Sequence, residues 1–432
     1  MRGVRVLVVG GGGREHAIVW RLAQNPTIER LFAAPGNAGI AREATCFPVG
    51  ADDLKAIVEL VEREEIDLTV VGPEVPLVAG LVDELESRGF RAFGPRADGA
   101  RIEGSKAWAK ELCERHGIPC ARSETFDDPE EAERALDRFD PPYVVKADGL
   151  AAGKGVTVAE DRDRAAAAIR GALVERAFGE AGARVVLEEH LVGREVSAFA
   201  ITDGRDVLPL ALAQDFKRVL DGDRGPNTGG MGAYSPVPFV DPAAEARIAD
   251  DVLGRAVRAM EAEGIRYRGV LYAGLMLTSE GPKVLEFNCR LGDPEAQAIL
   301  PRLRSDLGEM LLAACEGNLG SHRVHWSPQA CVTVVLASGG YPGEHRTGLE
   351  IRGLREAEEL EGVVVFHAGT AERRGRVVTA GGRVLAVSGL GPTLAEARER
   401  AYEACARISF EGMHHRTDIA ALAAAEEVRG GT

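Results

Sequence analysis

Short apolar runs alternate with amphipathic segments through the first hundred residues. The run from Val4 to Val9 predicts a buried parallel strand over 4–9, ended by Gly10-Gly11-Gly12-Gly13. Further strands are predicted at 31–34, 67–71 and 91–93. Helices are predicted at 14–24, 52–63 and 78–87; in the second, Leu54, Ile57, Val58 and Val61 share one face. Strand and helix in alternation predict a doubly wound parallel sheet, whose ligands sit at the carboxyl ends of its strands. Gly10–Gly13, Pro35-Gly36-Asn37 and Gly72-Pro73-Glu74 all fall at such ends.

From about residue 104 the pattern changes. A helix over 105–116 is stopped by Gly117 and Pro119. Strands at 143–147 and 156–159 then flank a glycine loop, and a helix is predicted over 162–178. Strands follow at 185–189, 196–202 and 207–213, then a helix at 245–263 with Ile248, Val252, Leu253, Val257 and Met260 on one face. Strands 270–277 and 283–287 form a hairpin across Ser279-Glu280-Gly281-Pro282. This is α+β patterning and implies a second domain. Trp326-Ser327-Pro328 marks another break. The tail carries strands at 331–336, 363–366, 377–379 and 384–387, the last two joined by Gly381-Gly382. Thr393-Leu394-Ala395-Glu396 is a capping box opening a helix to about residue 408, and 420–425 is helix-forming sequence. The expected domains are therefore 1–103, 104–326 and 327–432.

Composition narrows the function. A chain of 432 residues has room for about three domains. With 52 Lys and Arg against 67 Asp and Glu, its net charge is −15, so it has no overall pull toward nucleic acid or an anionic membrane. An anionic substrate must be held by local cations and backbone amides. The seven cysteines are odd in number and contain no Cys-x-x-Cys pair, which predicts reduced thiols in a cytoplasmic protein without a zinc cage. The N-terminal apolar run is too short for a signal peptide, and no apolar stretch approaches the ~20 residues of a membrane span.

Several motifs carry chemistry. The Gly10–Gly13 loop fails the dinucleotide fingerprint, because Glu15 stands where the third glycine is needed. Its amides can still meet one phosphate, or it is simply a tight turn. The 144–156 segment contains Lys146-Ala147-Asp148-Gly149-Leu150-Ala151-Ala152-Gly153-Lys154-Gly155-Val156. It fails the Walker pattern, since Asp148 and Gly155 occupy its Gly and Ser/Thr positions. A glycine hairpin with Lys146 at its base and Lys154 at its tip can fold over a polyphosphate; a solvated hairpin is the alternative. Glu286 and Asn288 lie two apart in a strand and so share a face, suiting a hard cation, with Arg290 on the same side. Leu285 and Phe287 should then face the core. Such an acid–amide pair alone is more often ordinary exposed sequence. The strand running into Glu188-Glu189-His190-Leu191 could read an adenine edge through its backbone, with a nearby carboxylate on ribose. Asp215-Phe216-Lys217-Arg218 ahead of the 225–232 glycine loop could hold a zwitterionic amino acid, or the loop is plain surface.

Taken together these residues resemble the ATP-grasp ligases and, within them, the glycinamide ribonucleotide synthetase family. The resemblance runs along nearly the whole chain. It rests on Gly11-Gly12-Gly13-Arg14-Glu15-His16-Ala17, Ala34-Pro35-Gly36-Asn37-Ala38-Gly39, Val71-Gly72-Pro73-Glu74 and Glu103-Gly104-Ser105-Lys106. The 146–156 loop, Pro226-Asn227-Thr228-Gly229-Gly230-Met231-Gly232, Glu286-Phe287-Asn288-Cys289-Arg290 and Gly292-Asp293-Pro294-Glu295 add to it, as does Phe366-His367-Ala368-Gly369-Thr370. Departures are Gly11 where the family often has Asn, Phe216 where it has His, and Leu291 where Phe is common.

The resemblance implies a multidomain α/β and α+β fold. Its parts are an N-terminal doubly wound parallel sheet, a central ATP-grasp unit with a mobile lid over about 121–192, and a C-terminal mixed α/β domain. It implies ligation of glycine to 5-phosphoribosylamine with ATP and Mg²⁺ or Mn²⁺, a step of purine synthesis. Lys146, Lys154, Arg290 and Asp215 are the implied catalytic residues. Lys106, Lys146, Gly149, Gly153, Lys154 and Gly155 would hold the nucleotide phosphates. Glu188, Glu189 and Leu191 would line the adenine, and Glu195 would hold ribose. Glu286 and Asn288 are the implied metal ligands. Asp215, Arg290, Gly292, Asp293 and the loop Asn227, Thr228, Gly229 and Gly230 would take the amino acid. Gly11, Gly12, Gly13, Gly72, Pro73 and Glu74 would hold the ribose phosphate. The expected partners are small molecules only, with no nucleic acid or membrane, and the chain is expected to be a monomer. The rivals are an ATP-grasp ligase for another acid or amine and a nucleotide-binding protein without ligase activity.

Overall fold

The computed structural model describes residues 3–151 and 155–430. A five-stranded, all-parallel sheet is built from the first hundred residues. Its order is Thr45–Cys46, Ile28–Pro35, Val4–Gly10, Leu68–Val71, Ala92–Phe93. The chain leaves the central strand to opposite sides, which opens a crevice at the carboxyl ends beside Gly10. There the loops are tied together. Gly36 N donates to Gly10 O at 3.1 Å, Gly72 N to Val9 O at 3.0 Å, and Asn37 Nδ2 to Gly11 O at 2.9 Å.

The helix expected at 78–87 is two helices, Glu74–Val78 and Leu81–Ser87, separated by Gly80 at φ 88°. Pro76 reads as a breaker in the sequence. It is tolerated because it sits in a first turn, where its missing N–H had no intrahelical partner.

Two antiparallel sheets follow. One has the order Val207–Pro209, Arg194–Thr202, Gly269–Thr278, Gly281–Asn288. The other has the order Ser123–Phe126, Val185–Glu188, Tyr143–Ala147, Val156–Ala159. Strand Ser123–Phe126 and helix Pro129–Ala135 were not expected. The helix expected over 162–178 ends at Leu173, because Val174 is 60% exposed and Arg176 takes φ 53°, so nothing past Leu173 extends the buried stripe. The long helix expected over 245–263 starts earlier, at Pro242 behind an Asp241 cap, and passes through a π-helical stretch, Ile248–Gly254. Its expected apolar face is buried throughout.

The remaining large sheet has the order Gln214–Asp215, Gly232–Ser235, Ala330–Ala337, Arg383–Gly391, Val363–His367, all antiparallel. The strands on either side of Gly381-Gly382 part company. Arg376–Thr379 pairs with Thr370–Arg373 in a separate ribbon, while Arg383–Gly391 joins the large sheet. Helix Leu394–Arg407 is capped by Thr393 as expected, and Ala421–Gly430 forms a further helix. Among the described residues no helix is long and apolar enough to cross a membrane.

The parallel sheet and the large antiparallel sheet meet at a histidine pair. His367 N donates to His16 Nδ1 at 2.7 Å, and Asn37 Nδ2 donates to His367 O at 2.8 Å. Burial pushes both imidazoles down to about 3, so both are neutral at physiological pH. Gly39 packs against the two rings in a helical conformation, φ −79° and ψ −47°, open to any residue. A methyl group there collides with both imidazoles. Gly39→Ala should therefore cost about 1–3 kcal/mol by overpacking alone. The check is thermal or urea unfolding; an unchanged midpoint would show that the interface can relax.

Candidate active site

A cleft of about 970 Å³ lies between the two four-stranded sheets and runs to the carboxyl edge of the parallel sheet. Lysines from two elements converge in it. Helix Lys106–His116 is capped by the Ser105 hydroxyl and presents Lys106 and Lys110 one turn apart. Lys106 Nζ donates to Gly149 O at 3.0 Å, and Lys110 Nζ lies 3.2 Å from Glu188 Oε2. Lys146 Nζ lies 2.9 Å from the same Glu188 oxygen and donates to Leu285 O at 2.9 Å. Burial pulls the Lys146 ammonium below its usual value, with Glu188 opposing and Lys110 adding to the shift. Glu188 is only 2% exposed; two lysines share one of its oxygens, and the other, Oε1, has no hydrogen-bond partner among the described residues.

Opposite these lysines stands strand Gly281–Asn288. Leu275 pairs with Val284 and Gly274 with Glu286, so Leu285 is an unpaired bulge residue. The strict alternation expected here is broken. Val284 and Phe287 enter the core at 2% and 3% exposure, whereas Leu285 is half-buried and, with Glu286 and Asn288, lines the cleft. The bulge leaves the Leu285 carbonyl to Lys146.

Burial opposes the charge on Glu286, but Lys217, Lys146, Lys106 and Arg290 outweigh it and hold its carboxyl below the usual range. Among the described residues no hydrogen bond or close ion pair occupies that carboxylate, and no cluster of three or more His, Cys, Asp or Glu could hold a metal. Two protein oxygens beside open space suit a hard cation that keeps water and phosphate ligands, so the residues fit Mg²⁺ or Mn²⁺.

Arg290 sits at the inner end. Its Nη2 donates to Glu103 Oε1 at 2.8 Å and to Asn288 Oδ1 at 3.3 Å, and its Nε to Glu74 Oε2 at 3.3 Å. Glu74 also faces Arg14, at 3.5 Å. Burial works against its charge, yet Arg290 and Arg14 draw its carboxyl below the usual range. Arg14 N donates to Asp293 Oδ2 at 3.2 Å.

Asp215, with its side chain 7% exposed, lies 4.0 Å from Lys217. Burial pushes its carboxyl up to about 7 despite Lys217, with Glu295, Glu195 and Glu286 adding to the rise. Lys217 Nζ is 3.0 Å from Glu195 Oε2, so the expected ribose ligand is already paired.

The cleft thus gathers Lys106, Lys146, Gly155, Glu188, Glu189, Leu191, Glu195, Asp215, Asn227, Thr228, Gly229, Glu286, Asn288, Arg290, Asp293 and Glu74. Glu189 is turned to its own surroundings, accepting from Arg122 N at 2.9 Å. Gly11, Gly12, Gly13, Gly72, Pro73, Gly149, Gly230 and Gly292 do not line the cleft. Gly12 N donates to Glu15 Oε2 at 2.6 Å, so that amide is taken by a helix cap. Gly153 and Lys154 lie outside the described residues.

Family models supply the remaining comparison. Residues 4–103, 104–296 and 331–422 match the N domain, the ATP-grasp (A) domain and the C domain of phosphoribosylglycinamide synthetase. The chain belongs to the phosphoribosylglycinamide synthetase family. It is 50% identical over 427 residues to a phosphoribosylamine–glycine ligase of Vibrio vulnificus, covering 98% of this chain and 99% of that one. It is 50% identical over 421 residues to one of Escherichia coli O157:H7, covering 96% and 98%. A solved phosphoribosylamine–glycine ligase of Thermotoga maritima superposes with a TM-score of 0.84 at 37% identity, covering 96% of this chain and all of that one.

In this family member the cleft also holds Arg14, Glu103, Lys110, Lys217, Tyr272, Glu295 and Arg383. Arg14, Glu103 and Glu295 lie in sequence motifs that gave them no role of their own, Lys217 lies in the segment expected to hold an amino acid, and Lys110, Tyr272 and Arg383 stand outside every motif. Lys110 was findable, four residues after Lys106 on one helix face. Arg383 was not. It donates to the Gly229 and Asp293 carbonyls from about ninety residues or more downstream, and only the large sheet brings it there.

Glu103 opens the Glu103-Gly104-Ser105-Lys106 motif, but nothing local announces its partner. It is buried and its second oxygen accepts from Cys289 N at 2.8 Å, so it fixes both ends of the Cys289-Arg290 turn. If the Arg290 end holds the amino acid, Glu103→Ala should raise the glycine KM more than the ATP KM. It should also cost about 3–5 kcal/mol of stability, as the buried guanidinium loses its nearest carboxylate and keeps the longer contacts to Glu74 and Asn288. Steady-state kinetics and denaturant unfolding check the two effects separately; equal shifts in both KM values would remove the Arg290 end from amino-acid binding.

Proposed function

We propose that this chain ligates glycine to 5-phosphoribosylamine at the expense of ATP, through glycyl phosphate, giving glycinamide ribonucleotide, ADP and phosphate in purine biosynthesis. The observation that carries the reading is the cleft itself. Buried lysines face an uncommitted carboxylate across a space open to Arg290 and Asp215, in a chain whose full length matches phosphoribosylamine–glycine ligases.

A carboxylate is a poor electrophile, so glycine must first take the γ-phosphoryl group. That transfer asks for positioning and charge neutralisation rather than covalent help. Lys106 and Lys146, with Lys154 of the glycine loop, neutralise the phosphates; Gly149, Gly153 and Gly155 let that loop approach them. The backbone from Glu188 to Leu191 reads the adenine, and Glu195 with Lys217 takes the ribose side. Glu286 and Asn288 would hold Mg²⁺ or Mn²⁺, which supplies further neutralisation at the phosphates. Asp215 takes the glycine ammonium, and Arg290 its carboxylate. Asp293 and the 227–230 and 292–293 backbone close this pocket. Loops 11–13 and 72–74 hold the ribose phosphate, so that the amine of phosphoribosylamine attacks the acyl phosphate. Segment 121–192 acts as a lid, because the acyl phosphate must be kept from water. The domains divide at 103 and 326, and the enzyme works as a cytosolic monomer.

The test is coupled ADP release with glycine, 5-phosphoribosylamine and ATP, each omitted in turn. Full turnover only with all three supports the reading. Turnover with another acid or amine in place of either co-substrate would redirect it.

A further inference from the structure

Two thiols lie outside the chemistry above yet touch its framework. Cys113 is on helix Lys106–His116, the helix that carries Lys106 and Lys110, and it lines the cleft at 1% exposure. The helix ends at Gly117, in the left-handed region at φ 64°, and Ile118 N turns back to donate to Cys113 O at 2.9 Å. This reversal returns Cys120 alongside Cys113. Cys120 is then fixed to the opposite wall. Val284 N donates to Pro119 O at 2.8 Å, and Cys120 forms a parallel bridge with Val284, two residues before Glu286. The two thiols are near enough to perturb each other, and Lys110 and Glu188 stand beside both. Both cysteines are free, Cys113 buried and Cys120 half-buried.

We propose that Cys113 and Cys120 form a peroxide-responsive dithiol, whose closure to a disulfide ties the lysine helix to the Glu286 strand and weakens ATP binding. Cys120 is the attacking sulfur, being the more exposed of the two. The neighbouring Cys113 draws the Cys120 thiol below the usual cysteine range, with burial opposing and Lys110 assisting, so a reactive thiolate is available near neutral pH. Cys113 is held above that range by the same interaction and by burial.

The chemistry balances with a peroxide as oxidant. The Cys120 sulfur attacks hydrogen peroxide and the O–O bond breaks. Cys120 becomes a sulfenic acid, and the departing hydroxide takes up a proton as water. The Cys113 sulfur then attacks the sulfenic sulfur. An S–S bond forms, the S–O bond breaks, and the second water leaves with the Cys113 proton. Two thiols lose two electrons in all, and one peroxide becomes two waters. Bonded sulfurs sit ~2.05 Å apart, well inside any non-bonded contact, so closure draws the C-terminal end of the helix toward Val284. Lys110, one turn before Cys113, shifts against Glu188, and the nucleotide wall loses its register.

The experiment treats the full-length protein with hydrogen peroxide and maps it by mass spectrometry without reduction. Trypsin cuts after Arg115, between the two cysteines, so the bridge joins peptides 111–115 and 116–122. That linked pair should appear, ATP binding measured by calorimetry should weaken about tenfold or more, and a thiol reductant should reverse both. Cys120→Ser should keep its ATP affinity through the same treatment. Cys113→Ser should stop at a Cys120 sulfenic acid that dimedone traps. The proposal is overturned if no linked pair forms at peroxide levels that oxidise Cys46 and Cys315, the other two half-buried thiols. It is overturned equally if Cys120→Ser loses ATP affinity as the parent does. Peptide mapping and ATP calorimetry need no ligase turnover, so neither outcome depends on the identity of the acid and amine substrates.

Discussion

Glu286→Gln should lower ADP release by ~10²-fold or more at saturating glycine, the effect of losing one strong transition-state stabiliser of about 3 kcal/mol. The substitution keeps size and hydrogen-bonding capacity and removes only charge. That charge is held in place by Lys217, Lys146, Lys106 and Arg290, and no described side chain pairs with it directly. It is therefore free for a cation, and Asn288 is the next oxygen on the same side of the strand. Folding should survive, because Val284 and Phe287 still pack and Glu286 itself is only half-buried. Raising Mg²⁺ should recover part of the rate by mass action. Asn288→Ala should behave alike, and the double variant should fall short of additivity if both oxygens serve one ion as proposed. ADP release measured against Mg²⁺ concentration for the three variants decides the matter. Unaltered metal dependence in Glu286→Gln would sink the metal assignment.

The second large effect is expected at Asp215. Asp215→Asn should lower kcat/KM for glycine by ~10²-fold, since truncating a buried partner of a charged group costs about 2–5 kcal/mol. The same change should stabilise the fold at neutral pH. Burial raises this carboxyl from its usual 3.8 to about 7 in the folded chain. Between those values the unfolded chain has lost its proton and the folded chain has kept it. The folded state therefore binds more protons, and stability from this group falls as pH rises across that window. Asparagine carries no such loss, so the variant should unfold at a higher temperature than the parent above pH 7. The activity profile carries the complementary sign. If Asp215 takes glycine's ammonium as proposed, its ionised form does so, and kcat/KM for glycine should climb through about pH 7 in the parent and be flat in Asp215→Asn. A parent profile with no rise there would remove Asp215 from the ammonium site, whatever its effect on stability.

Much of the fold was legible because its local signals agree with its tertiary role. The run Val4–Val9, the amphipathic helix behind Asp53 and the Thr393 capping box appear where the pattern put them. Two of the misses share a cause, a contact distant in sequence that overrode the local rule, and one is local. Helix Glu74–Val78 keeps a proline within its first turn. Leu285 leaves its expected face because the strand pairs through a bulge whose carbonyl serves Lys146. Strands on either side of Gly381-Gly382 separate because one finds its partner at Ala330–Ala337 and the other at Thr370–Arg373.

The sequence by itself determined the parallel and antiparallel layers, the family and the chemical types in the cleft. Those follow from side-chain periodicity and from ordered motifs, which are properties of neighbouring residues. Only the tertiary structure decided which charges meet. Glu188 is shared by Lys110 and Lys146, Arg290 is held by Glu103 from 187 residues away, and Glu195 is paired with Lys217. Electrostatic partnership depends on distance and burial, and both are set by how sheets stack rather than by spacing along the chain. The same holds for Asp215, whose residue type is plain in the sequence. Its proton is held to about pH 7 only because folding removes it from water beside Glu295, Glu195 and Glu286.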